Sequence, residues 1–275
     1  MSMVTRWAKS AFLSSLGGIT ELDIQLVTNQ PPLPPMVLAQ DQTSGANATL
    51  GGRAAGCFKN PLPVGGPAKV ILKATSGGGV SLYAVDGVAA GLTRTPLATM
   101  DQTRKQAKLE FNDVEGRLVG TEGAGWDVLG KVLDLAVVAL AAEQVGGAQF
   151  VLEMAVQYAK DRVQFGRPIG SFQAVAHRCA DMRAEIDACR TLALRAAWAL
   201  QHGDDAELAV ASALAYAKDA LRRVAMHAHQ VHGAIGFSTE HDLHIFTRRI
   251  KAFELDGGST AHYQERLAAA IGLEP

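Results

Sequence analysis

Tyr158-Ala-Lys-Asp-Arg162-Val-Gln-Phe165-Gly-Arg-Pro-Ile-Gly-Ser-Phe172-Gln173 closes one long apolar-periodic segment, turns sharply and opens a second. Upstream, Trp126 to Asp161 holds no proline, and Val128, Leu129, Val132, Leu133 and Leu135 recur at the three-and-four spacing of an amphipathic or buried helix. Lys160 and Arg162 fall at its end, where positive charge suits the helix dipole. Gly166 and Pro168 break the helix, and Ser171 is placed to N-cap the one that follows. Such a corner presents arginines and fresh backbone N–H groups and can hold a phosphate. On spacing alone it can equally be a capped αα-hairpin whose arginines face water.

Composition narrows the classes. The 275 residues are 48% apolar, enough for one large core or two ordinary ones, and 26 basic residues balance 27 acidic ones. That balance gives no reason to expect nucleic acid or an anionic membrane as partner. Cys57, Cys179 and Cys189 have no metal-ligand spacing and read as free thiols of a reducing compartment. Ser10 to Leu16 is too short and polar for a signal peptide, and the apolar run Leu133 to Ala142 is too short to span a membrane. The expectation is a soluble cytoplasmic protein.

Eight of the ten prolines lie in the first 96 residues and 18 of the 28 glycines before residue 131; the rest is Ala-rich and helix-periodic. The fold class expected is therefore α+β, a small antiparallel β-domain followed by a C-terminal antiparallel helical bundle. Its parts would be residues 1–22, a short helical region; 23–125, the β-domain; and 126–275, the bundle. Asp23–Thr28, Lys69–Ala74, Val80–Val85 and Ala107–Phe111 alternate as strands, with Gly77-Gly-Gly79 as a hairpin turn between the second and third. The triple glycine lacks the Lys-Ser/Thr and the helix of a phosphate-binding loop. Helices are expected over about 127–161, 171–202, 205–231 and 241–254, with a last one from Thr260. Asp204-Asp205 would cap the third and Gly233 would end it. His227, His229 and His232 cluster in sequence, but successive helical positions point His227 and His229 apart, so no metal site is expected; His241 and His244 read as surface residues.

Arg162-x-x-Phe165-Gly-x-Pro-Ile-x-x-Phe172-Gln173 resembles the corresponding corner of the flavin-dependent acyl-CoA dehydrogenases. Gln230-Val-His-Gly233-Ala-Ile-Gly236 is similar to their Gln-x-x-Gly-Gly-x-Gly segment, with Ala234 in place of the middle glycine. Read from the residues alone, it is a glycine helix end followed by a turn glycine, or a place where backbone approaches a ligand. Asn112-Asp-Val-Glu through Gly123-Ala-Gly-Trp126 resembles the family's passage from sheet to bundle, and Arg6 to Gln30 its passage from first helical domain to sheet. There Thr28-Asn29-Gln30-Pro31 stands where the family has Thr-Glu-Pro and a Gly-Ser pair, which implies a short form lacking most of the N-terminal helical domain.

The resemblance implies FAD as cofactor, with Arg162, Gln164, Phe165, Phe172, Gln173, Gln230, Gly233, Ala234 and Thr260 in contact with it. It implies an acyl-CoA thioester as substrate, with Asp134 and Gly258 near it, and at least a homodimer or tetramer. The family's reaction takes a proton from Cα with a glutamate while hydride leaves Cβ for the flavin. Of the two places that glutamate occupies, one is held here by Gly257 and the other by Ala136, with Val137 where an arginine is common. Asp256 is the surviving candidate base. Two functions follow: an acyl-CoA dehydrogenase, or a non-catalytic subunit of a heteromer with a full-length paralogue, contributing part of the FAD site and a bundle interface.

Overall fold

A computed structural model describes residues 47–57, 69–76, 79–104, 106–203 and 205–273. The expected helix at the N-terminus and the strand at Asp23–Thr28 lie outside these residues, as do Asp204 and the two glycines before Gly79. The chain divides into two compact units between Leu133 and Asp134.

The first unit holds an antiparallel sheet of β1 (Asn47–Cys57), β2 (Lys69–Ser76), β3 (Gly79–Asp86), β4 (Leu92–Leu97) and β5 (Gln106–Val119), in the order β1-β5-β3-β2 with β4 also on β5. The long β5 organises it. One edge pairs with β1; the other takes β4 along Gln106–Phe111 and β3 along Arg117–Val119. Leu109 and Phe111 point inward, then Val114, so the inward phase slips by one residue at Asn112–Asp113. That is a β-bulge: Leu50 faces Val114 and Gly52 faces Phe111, and Asp113 has φ 50°. Gly91 accommodates the bulge, since a Cβ there would sit 2.1 Å from the Asn112 carbonyl oxygen. Tyr83, Val85, Leu109, Phe111 and Val114 form the core of this sheet.

The helices are α1 (Gly125–Asp161), α2 (Gln173–His202), α3 (Ala206–His232), α4 (Leu243–Leu255) and α5 (Thr260–Ala270). α1 is long and apolar enough to cross a membrane by length and composition. Between Ala136 and Ala159, however, one face of it is buried in protein: Val137, Leu140, Ala141, Ala148, Val151 and Ala155 are all at most 2% exposed. α3 is the central element of the second unit. Ala211, Leu214, Ala217, Lys218, Leu221, Val224 and Ala228 follow the helical repeat and are buried, an apolar stripe with one cation in it.

Two expected caps differ. Ser171 does not cap α2: its hydroxyl donates to the Pro168 carbonyl at 2.7 Å, closing a 3-10 turn (Ile169–Ser171), and Phe172 is the cap residue. Asp205 precedes α3 in the left-handed region (φ 47°) and makes no side-chain cap. α5 carries a true cap, Ser259 Oγ accepting the His262 N–H at 3.2 Å.

Candidate functional site

The Arg162 corner is a miniature hairpin. Val163–Gln164 pairs with Arg167–Pro168, and Phe165 and Gly166 between them have φ 54° and 75°. Two successive positive φ values are what a two-residue hairpin turn demands. Phe165 is not a glycine and bears that conformation while 93% exposed. Backbone strain of this kind concentrates where a segment is held for binding. The Arg162 N–H donates to Tyr158 and its carbonyl accepts from Ile169, both at 2.8 Å, so the arginine's backbone is fixed while its side chain is exposed. Phe172 anchors the corner: the Arg167 guanidinium stacks 4.1 Å from its ring and Phe165 meets it edge-on at 6.1 Å. Gln173, first in α2, is exposed alongside.

The second segment lies at the end of α3, beside the end of α1. His232 stacks on Tyr158 with ring centroids 4.9 Å apart. Its Nδ1 lies 2.8 Å from the Ala228 carbonyl. A carbonyl only accepts, so Nδ1 carries the proton. Nε2 is then a buried acceptor with no partner among the described residues. Burial holds the pKa of His232 and of His229 below the ordinary imidazole value, and the nearby His241 adds to this. His241 is not a free surface residue: its ring sits 4.7 Å from His232, and its Nδ1 accepts the Leu243 N–H. His244 Nδ1 is buried too. The helix ends at Gly233 (φ 62°), where an added Cβ would meet nothing within 4 Å. Gln230, Gly233 and Ala234 are exposed. Among the described residues no three His, Cys, Asp or Glu side chains converge as metal ligands do.

The remaining candidates gather near the start of α1. Asp134 accepts from Arg266 at 3.0 and 3.4 Å, and Glu207 accepts from the same guanidinium at 2.6 and 2.7 Å. Arg266 holds the Glu207 carboxyl below its ordinary range. Thr260 reaches Asp219 at 3.5 Å. Asp256 is 7% exposed and Gly258 is buried. The Gly257 carbonyl accepts the Tyr263 hydroxyl at 2.6 Å, and burial pushes that phenol up to about 12. Gly257 itself has φ 68°, and a Cβ on it would lie 2.5 Å from Val137 Cγ1. Val137 is 2% exposed, and as a β-branched side chain it is stiff about χ1. Ala136, the other place for a base, is also buried.

The sequence-predicted residues thus form two constellations rather than one. Arg162, Gln164, Phe165, Phe172 and Gln173 lie at one end of α1, near Gln230, Gly233 and Ala234; Asp134, Asp256, Gly258 and Thr260 lie at the other. From Val137 to Arg162 the helix rise gives about 40 Å. Neither end can serve the reactive centre of the other.

The model of the acyl-CoA dehydrogenase C-terminal domain matches residues 123–272, more than half the chain. The chain belongs to the acyl-CoA dehydrogenase family. It is 42% identical over 154 residues to the acyl-CoA dehydrogenase IpdE2 of Mycobacterium tuberculosis, an alignment covering 56% of this chain and 44% of that protein. The chain therefore spans less than half the length of that relative. The structure of the ChsE4-ChsE5 complex of Mycobacterium tuberculosis superposes with a TM-score of 0.78 at 28% identity, covering 91% of this chain and 66% of that one. PigA, solved with FAD and proline, superposes with a TM-score of 0.74 at 26% identity, covering 82% of this chain and 61% of that one. The expected fold, a small antiparallel sheet with a helical bundle of acyl-CoA dehydrogenase type, is the fold observed.

Sequence reasoning missed Lys218, completely buried on the inner stripe of α3. A signal was present: a lysine at an otherwise apolar position of a helical repeat.

Proposed function

We propose that this chain is the non-catalytic subunit of a heteromeric acyl-CoA dehydrogenase, lending FAD-binding residues to a full-length paralogue that carries the base. The observation behind this reading is the 2.5 Å approach of Val137 to the Cβ position of Gly257. Where the family carries its glutamate, the space is filled by a rigid apolar side chain. Asp256 is a poor replacement: the residue is only 7% exposed, and its charge acts electrostatically on the buried Lys218. The likeness to a complex of two different chains is consistent with this role.

The corner fits FAD. Arg162 supplies an exposed cation on a fixed backbone for the pyrophosphate, and Phe165 an exposed ring for stacking. Gln164, Gln173 and Gln230 offer amide hydrogen bonds, and Gly233 and Ala234 admit close backbone approach. FAD, when bound, supplies hydride acceptance from Cβ of the thioester. This chain's residues would bind and orient its distal half; the proton from Cα would go to the paralogue's carboxylate.

Co-expression with a full-length paralogue tests this. Visible flavin absorption should accompany the complex, Arg162→Ala should reduce its flavin content, and Asp256→Asn should leave turnover unchanged. Turnover of an acyl-CoA thioester by this chain alone, abolished by Asp256→Asn, would overturn the reading in favour of an enzyme with Asp256 as base.

A further inference from the structure

Lys218 leaves α3 inside the bundle and ends at the C-terminus of α4. Its side chain is wholly inaccessible, and its ammonium donates to the carbonyls of Phe253 at 2.7 Å and Asp256 at 2.8 Å. The Glu254 carbonyl lies at 3.4 Å. The rings of Phe253 and Tyr263 face the ammonium with centroids at 4.6 and 5.6 Å. These carbonyls are among the four that any helix leaves unsatisfied at its C-terminus, and they carry the negative end of its dipole. A cation buried against them exchanges water for aligned acceptors. Burial lowers the lysine's pKa to about 8, against the raising effects of Asp256 and then Glu254.

The turn that follows is held from several sides. The Asp256 N–H donates to the Ala252 carbonyl at 2.9 Å, and the Gly257 carbonyl takes the Tyr263 hydroxyl. Gly257 and Gly258 have φ 68° and 109°, and a Cβ on either would run into Val137 or into His262. Two adjacent glycines would ordinarily be the most conformationally free part of the chain. Here they are crowded by Val137 and His262, and Lys218, from α3, bonds the Asp256 carbonyl just before them.

We infer that Lys218 is a positioning residue that clamps the Asp256–Gly258 turn to the end of α4 and so keeps Gly257 seated against Val137. One long side chain, crossing from α3, bonds both the last turn of the helix and the first residue beyond it. It thereby ties the place of the absent base to the centre of the bundle. The clamp operates in the isolated chain, whatever the fate of the flavin, so its failure and the failure of the partner-subunit reading are distinguishable.

Amide exchange followed by mass spectrometry on peptides covering residues 252–259 tests it. In the unmodified chain this turn should be protected to the level of the interior of α3; exchange at the rate of an exposed loop would overturn the clamp. Lys218→Met keeps the length of the stem and removes the donors, and should speed exchange in these peptides about tenfold or more, with smaller change in α2. Lys218→Met/Asp256→Asn also removes the carboxylate that acts electrostatically on the buried lysine. It should regain melting temperature but not the turn's protection. Recovery of wild-type protection in the double variant would mean that Lys218 serves only to neutralise Asp256. If Lys218→Met does not fold, the double variant and the unmodified chain decide the question.

Discussion

Gly257→Ala is the smallest change that probes the closed base position. A side chain at φ 68° is in the left-handed region, which costs about 1–2 kcal/mol for a residue with a Cβ. The same Cβ falls 2.5 Å from Val137 Cγ1, and overpacking a filled core costs about 1–3 kcal/mol more. The sum is about 2–5 kcal/mol, a large share of an ordinary domain's stability of about 5–15 kcal/mol. Urea unfolding of Gly257→Ala, Val137→Ala and the double variant separates the two contributions. The contact should appear as a coupling of about 1 kcal/mol or more in favour of the double variant, while the backbone cost stays. A Gly257→Ala chain within about 0.5 kcal/mol of wild type, or strictly additive effects, would refute the claim that Val137 closes this position. Gly257→Glu should be no better tolerated, and should give no turnover unless Val137 is also reduced.

Three further outcomes follow from the same geometry. Tyr263→Phe removes the hydroxyl that holds the Gly257 carbonyl and should cost about 0.5–1.5 kcal/mol in the same unfolding assay. Arg266→Ala leaves Asp134 and Glu207 facing one another without their shared cation and should cost about 1–3 kcal/mol, with a smaller loss for Glu207→Gln than for Asp134→Asn because Glu207 is the more exposed. The depressed pKa values of His229 and His232 mean that, as pH falls through about 6.5, the unfolded chain takes up protons that the folded chain refuses. The histidines' contribution to stability should be flat above that pH and decline below it, by up to about 1.4 kcal/mol per pH unit from His232. His232→Gln should blunt that decline in a series of thermal melts across pH.

The helices were legible because burial on one face writes the three-and-four spacing into α1 and α3 directly. The corner was legible because Gly166 and Pro168 forbid helix. What the sequence did not disclose was geometry set by partners distant along the chain. β4 is Leu-Thr-Arg-Thr-Pro-Leu, mostly exposed and interrupted by Pro96, so no alternation announces it; its pairing along β5 creates it. Ser171 has the residue type of a cap, but it lies in a 3-10 turn where its hydroxyl donates to the Pro168 carbonyl, and Phe172 takes the cap position. His241 read as surface because nothing local says that His232 will be brought against its ring. For the candidate site, the family resemblance singled out Arg162 and Gln230 as candidates, and both are exposed. It could not say that the gap at Gly257 is filled, since Val137 lies 120 residues earlier in the chain.

α1 bears one constellation at each end, and this sets its tolerance to change in length. Inserting a single residue between Val137 and Arg162 would turn the corner by about 100° and advance it about 1.5 Å relative to the far end. Arg162 and Phe165 would then face another direction, although every hydrogen bond of the helix could re-form. Seven residues, close to two turns, would restore the heading but displace the corner by about 10 Å. Relatives that share this bundle should therefore vary in length at their turns and hold constant the number of residues along this one rod.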